Sequence, residues 1–190
     1  MKKLKTLSLV LAMGLLAGGA ISCKNKKEAG PAAGEVFVDV PCSGPDYFTD
    51  KKFFRANAIG ESLDQMTAKK KAMSNARAQL ATDMASTMKI VGDNYVKSSE
   101  FNNKEEVTET FQENARTVVN QTLNGIRVIC ERQAKTAEGK YKTYIAIELS
   151  ADEILSKYNE RLSKDESLKA DYNYEKFKET FDAEMAKMGQ

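Results

Sequence analysis

Three cysteines, Cys23, Cys42 and Cys130, are the residues of this chain best equipped for covalent chemistry. The rest of the reactive inventory is thin. The 190 residues include no histidine and no tryptophan. Without imidazole there is no Ser-His-Asp triad, no Cys-His pair and no histidine metal ligand. Carboxylate, lysine and tyrosine chemistry survive in principle, but no paired carboxylates, metal-ligand spacing or nucleophile constellation stands out. The expectation is therefore a non-enzymatic protein with no catalytic, cofactor-binding or metal residues and no cofactor. Cys42 and Cys130 form a candidate disulfide, because exported chains meet an oxidising compartment. The bridge would close a loop of roughly ninety residues and contribute about 4–5 kcal/mol in the chain-entropy model. The alternative is that Cys130, on one strand face with Ile126 and Val128, is a small buried hydrophobe.

Cys23 has a different setting. Residues 1–22 carry a lysine-rich start, an apolar core from Leu7 to Leu16 and small residues from Ala17 to Ala20, the three parts of a secretory signal. The core is shorter than the about 20 apolar residues of a transmembrane helix. It ends in Ala20-Ile21-Ser22-Cys23, which resembles a bacterial lipoprotein box. That resemblance implies cleavage before Cys23, a diacylglyceryl group on its thiol and an acylated new amine. Ala20 stands where leucine is usual. The competing reading is ordinary cleavage after Ala20, with Gly18 and Ala20 as the small pair. Two or more acyl chains, at about 0.8 kcal/mol per buried CH₂, would hold the protein on the bilayer. Residues 23–34 then read as a lipidated, polar, Gly-Pro-Ala tether, and residues 35–190 as one α+β domain. Lys24 follows the cysteine; in lipoprotein classes that use aspartate there for inner-membrane retention, its absence implies shipment to the outer membrane.

Removing Lys2, Lys3 and Lys5 with the leader takes the formal charge from +2 to −1. A near-neutral chain gives no electrostatic case for a nucleic-acid partner. Lys69-Lys70-Lys71 is the sharpest charge run, but three successive helical positions fan through about 200° and cannot share one ligand. They read as a solvated face.

These residues must be positioned by a short series of elements. Phe53 to Ile59 alternates as a strand, with Phe54, Ala56 and Ala58 on one face and Phe53, Arg55, Asn57 and Ile59 on the other. Arg55 and Asn57 read as a solvent-facing side. A turn at Gly60-Glu61 leads to a long helix, opened by a capping box of Ser62 and Gln65. Met73, Ala76, Leu80, Met84, Met88, Val91 and Tyr95 mark its inner face. Its alanines allow close approach to a sheet, and Gly92-Asp93-Asn94 is expected to weaken its last turns. Asn103 with Glu106 opens a second helix through Val107, Phe111, Ala115, Val118 and Thr122, which stops at Asn124-Gly125 with glycine in the left-handed conformation. Ile126 to Gln133 and Tyr141 to Leu149 form a hairpin around Ala137-Glu138-Gly139. Ser150 with Glu153 opens a third helix, and a fourth carries Tyr174, Phe177, Phe181, Met185 and Met188. Glu35 to Val40 alternates like a short edge strand. The order is strand-helix-helix-strand-strand-helix-helix, a small antiparallel sheet packed on one face against long amphipathic helices. The aromatics Tyr158, Tyr172, Tyr174, Phe177 and Phe181, and the methionines Met66, Met73, Met84 and Met88, read as core packing.

The leader, Ala58-Ile59-Gly60-Glu61-Ser62, the helix with Ala72, Asn75-Ala76-Arg77 and Leu80-Ala81, and the hairpin ending Tyr144-Ile145-Ala146-Ile147-Glu148-Leu149 together resemble the Lpp-twenty type of bacterial lipoprotein. The amino-terminal domain of the flagellar assembly T protein resembles the same unit. The likeness covers about Phe53 to Ser150. It implies a strand-helix-strand-strand core, an outer-membrane location and no established catalytic residues. The expected function is a lipid-anchored, periplasm-facing binding or structural module of the cell envelope, joined to the membrane by its lipid and to an envelope protein partner. The other reading is a small-molecule or lipid carrier with an apolar pocket between sheet and helices.

Overall fold

Strand β1, Phe53–Ser62, feeds directly into α1, Gln65–Ser98, and this pair organises everything that follows. In this computed structural model the described residues are 34–36, 38–168 and 170–188. After α1 come α2 (Lys104–Thr122), β2 (Arg127–Lys135), β3 (Tyr141–Ser150), α3 (Ala151–Lys164) and α4 (Tyr174–Met188). The sheet is antiparallel in the order β1-β3-β2. The fold is thus α+β with the element order expected from periodicity. The compact unit begins at Asp39, slightly later than residue 35. Residues 35–36 and 38–40 carry no strand despite their alternating valines.

Alternation decides which face of the sheet is inner. Phe54, Ala56 and Ala58 pair with Leu149, Ile147 and Ile145, and these six point toward the helices. Arg55, Asn57 and Ile59 pair with Glu148, Ala146 and Tyr144 on the outer face. α1 presents Ala68, Ala72, Ala76 and Leu80 to the sheet, small residues first, so the helix axis lies close to the strands. Beyond the sheet its second half buries Met84, Met88, Val91 and Tyr95 against α2 and α4.

Gly60 is no turn. β1 runs through it to Ser62, and a Cβ there would collide with the Ala68 carbonyl oxygen and the Ala72 amide nitrogen. Glycine is required because two backbones meet. The cap of α1 is accordingly Asp64, whose carboxylate accepts the Thr67 N–H at 2.8 Å, rather than Ser62. Asn103 and Ser150 do precede their helices, yet neither side chain caps the backbone. Asn103 donates to Glu106, and Glu153 pairs with Lys157. Gly92 leaves α1 intact and lets the Phe111 side chain approach to within 3.3 Å of where its Cβ would be. Gly125 likewise has no left-handed φ; α2 ends in a 3-10 turn, Leu123–Gly125, packed beside Glu153 and Leu149. Gly139 is the turn glycine expected, with φ 83° in the β2–β3 hairpin.

Candidate functional site

Cys23 lies outside the described residues. The other two cysteines meet: Cys42 and Cys130 are joined by a disulfide, with sulfurs 2.09 Å and Cα atoms 5.5 Å apart. Their meeting depends on a feature of β2 that its sequence hides. Val128 pairs with Ile147 and Cys130 with Ala146, so Ile129 is an extra residue in a β-bulge. One inserted residue breaks the period of two. Cys130 therefore sits on the outer face, not on the face of Val128. There it fastens the segment from Cys42 to Asp50, which crosses the sheet as a strap. Ala146 on that face is fully buried beneath it. Cys42 itself adopts φ 57°, a left-handed conformation costly for a side chain and held here by the bridge.

A charged network fixes the far end of the strap. Arg55 meets Asp50 at 2.6 Å and Glu148 at 3.2 Å, and donates to the Phe48 carbonyl at 3.0 Å. Arg127 reaches Glu148 at 3.1 Å, and the Phe53 ring lies 5.2 Å from the Arg55 guanidinium and 5.7 Å from that of Arg127. Burial alone would raise the Asp50 carboxyl. The N–H groups of Lys52 and Phe53 and the Arg55 guanidinium outweigh it and hold the pKa below the ordinary value. Arg55 is thus engaged under the strap, not solvent-facing as its position in the alternation indicates, while Asn57 is exposed. Every charge in this network has a partner, so it serves as a clasp and offers no free acid or base.

The aromatics converge in the helical half. Tyr95 stacks against Phe101, Phe111, Tyr172 and Phe177 with centroids 5.4–6.0 Å apart. Tyr158 closes the cluster on Phe111 and Phe177 at 6.2 and 5.2 Å. Hydroxyls are satisfied: Tyr158 donates to the Phe111 carbonyl, Tyr172 to Asn159 at 3.1 Å, and Tyr95 accepts the Asn173 N–H at 2.8 Å. Burial pushes all three phenols upward from their usual pKa, so they are neutral and poor bases. Tyr158 and Phe177 were legible as core from helical spacing, whereas Tyr172, expected on the same pattern, lies before α4 and is partly buried against them. Tyr95 and Phe111 lie at the centre because the α1 and α2 faces meet there, which no single periodicity shows.

Three of the surface grooves border these groups and the lysine run. One of about 480 Å³ between α2 and α3 holds Asn114, Arg161 and Asp165. These are interlocked: Arg161 donates to Asn114 at 3.0 Å, and Asn114 to Asp165 at 3.1 Å. A second, of about 560 Å³, borders the clasp at Phe48, Asp50, Arg55 and Met188. The third, of about 400 Å³, lies along the start of α1 between Met66, Met73, Lys69, Lys70 and Arg77. The lysine run fans as its geometry demands. Lys69 pairs with Glu131 of β2 at 2.9 Å, Lys71 donates to the Glu61 carbonyl of β1 at 3.2 Å, and Lys70 points outward between them. None of the three grooves is lined by the aromatic cluster.

Among the described residues no group of His, Cys, Asp or Glu is arranged to hold a metal ion, and no helix is long and apolar enough to cross a membrane. Compared with known protein families and with curated proteins, the chain matches none.

Proposed function

We propose that this chain is a lipid-anchored, non-enzymatic binding or structural module of the bacterial outer membrane, facing the periplasm and held by acyl groups on Cys23. The Cys42–Cys130 bridge carries the reading, because structural disulfides persist in oxidising compartments outside the cytosol. It agrees with a leader that ends in Ala20-Ile21-Ser22-Cys23 followed by Lys24. The likeness to the Lpp-twenty type of lipoprotein supports the outer membrane as destination, and the observed β1-α1-α2-β2-β3 run accommodates the core that likeness implies, with α2 inserted. The clasped and interlocked charges support a module that acts by contact. The rings that would line a carrier's pocket are packed on one another instead, which gives the carrier reading no supporting observation.

Fractionation tests the anchor. The wild type is expected in the membrane pellet, and Cys23→Ser in the soluble periplasmic fraction. A wild type already soluble after export would overturn the proposal.

A further inference from the structure

The fold separates its charge along α1. Residues 53–80 and 126–150, built on the sheet, carry ten Lys/Arg against five Asp/Glu. Residues 81–125 and 151–190, the helical part, carry eleven against seventeen. A formal +5 is therefore set against a formal −6 within a nearly neutral chain.

The basic part also carries exposed apolar side chains. Leu63, two residues before α1, is 76% exposed, and Met66 in its first turn is 59% exposed rather than packed in the core as its helical spacing suggests. Met66, Lys70, Met73 and Arg77 follow one another at helical spacing, on one face about 16 Å long. With Lys69 they line the groove of about 400 Å³, whose wall includes no acidic side chain. The nearest acids are occupied: Glu131 pairs with Lys69, and Asp64 caps the helix. Met73 is partly buried against the core, and the exposed Met66 set among Lys69, Lys70 and Arg77 suits an interface that is apolar below and anionic above.

We propose that this face of α1, from Met66 to Arg77, together with Leu63 just before the helix, rests on a bilayer containing anionic phospholipid. Leu63 and Met66 enter the headgroup layer, while Lys70 and Arg77 reach lipid phosphates. The acidic helical part is turned away from the membrane by the same field. A bilayer fits better than an acidic partner helix, because helix-in-groove recognition uses a channel between elements and this groove has walls from one helix only. The inference deepens the proposed lipid anchor, whose role would be to keep the patch near the surface.

The exported Cys23→Ser chain, which cannot be acylated, isolates the patch from the anchor. It is sedimented with vesicles of phosphatidylglycerol or of phosphatidylcholine at low salt. Binding to phosphatidylglycerol is expected to be at least about ten-fold tighter, and to fall as salt screens the charges. Adding Lys70→Glu and Arg77→Glu should weaken it by about ten-fold with unchanged thermal melting. The same charge change at Lys89 and Arg116 of the helical part should leave it intact. Equal binding to both lipids, or equal loss from both double variants, would overturn the proposal. So would a photocrosslinker at position 70 of the wild type joining a protein rather than lipid in native membranes. A failed vesicle experiment leaves the fractionation of Cys23 untouched, and a soluble wild type leaves the vesicle result standing, so the two readings fail separately.

Discussion

The phenol of Tyr158 is buried at the meeting point of α2, α3 and α4 with its hydrogen on the Phe111 carbonyl. Ionising it would place a charge where water cannot follow, so burial raises its pKa, as it does for Tyr95 and Tyr172. A raised folded-state pKa gives stability that is complete below the unfolded value, about 10 for tyrosine, and lost as pH rises above it. The melting temperature is therefore expected to hold from pH 7 to about 10 and then decline, with a shallower alkaline decline in Tyr158→Phe. Identical alkaline profiles for the two proteins would show that this phenol is not protected as described. Its burial was readable from sequence, since Ile154, Leu155, Tyr158 and Leu162 share a face of α3. Its hydrogen-bond partner was not, because Phe111 lies on another helix.

β1 and α1 behave as a single element. Gly60 allows their backbones to touch, and side chains then seal the free edge of the strand. Thr49 Oγ1 meets both the N–H and the C=O of Arg55, Asn75 donates to the Ile59 carbonyl at 3.2 Å, and Lys71 donates to that of Glu61 at 3.2 Å. An edge closed in this way resists pairing with another chain. Gly60→Ala would force two backbones apart and is expected to cost about 2–3 kcal/mol, whereas Lys70→Ala, on the exposed face, should change stability by less than about 0.5 kcal/mol. Similar denaturation midpoints for the two variants would mean that the contact is looser than drawn. Alternation and helical spacing record which side of each element faces the core, and the inner faces of β1, β3 and most of α1 were legible for that reason. A glycine records only that a side chain is absent. Whether a turn or a neighbouring backbone excludes it is a tertiary fact, and so are the Ile129 bulge and the choice of Asp64 over Ser62 as cap. The valines before Cys42 alternate too, but alternation makes a strand only where an edge is open to receive it.

At the scale of the molecule, the bridge joins residues 88 apart and ties the segment before β1 to β2, the edge strand on the far side of the sheet. Loop closure on that length is worth about 4–5 kcal/mol in the chain-entropy model, a large share of an ordinary domain's stability. The strap, the clasp around Arg55 and the filled aromatic centre together describe a scaffold that presents a surface, with its charge divided between a basic sheet end and an acidic helical end. We propose that this scaffold is exported, bridged and acylated. Intact-mass spectrometry of the protein extracted from membranes, alkylated with and without prior reduction, tests it most directly. The expected species is a polypeptide starting at Cys23, heavier by its acyl groups, with Cys42 and Cys130 labelled only after reduction. An unacylated chain starting after Ala20, or two thiols labelled without reductant, would contradict it.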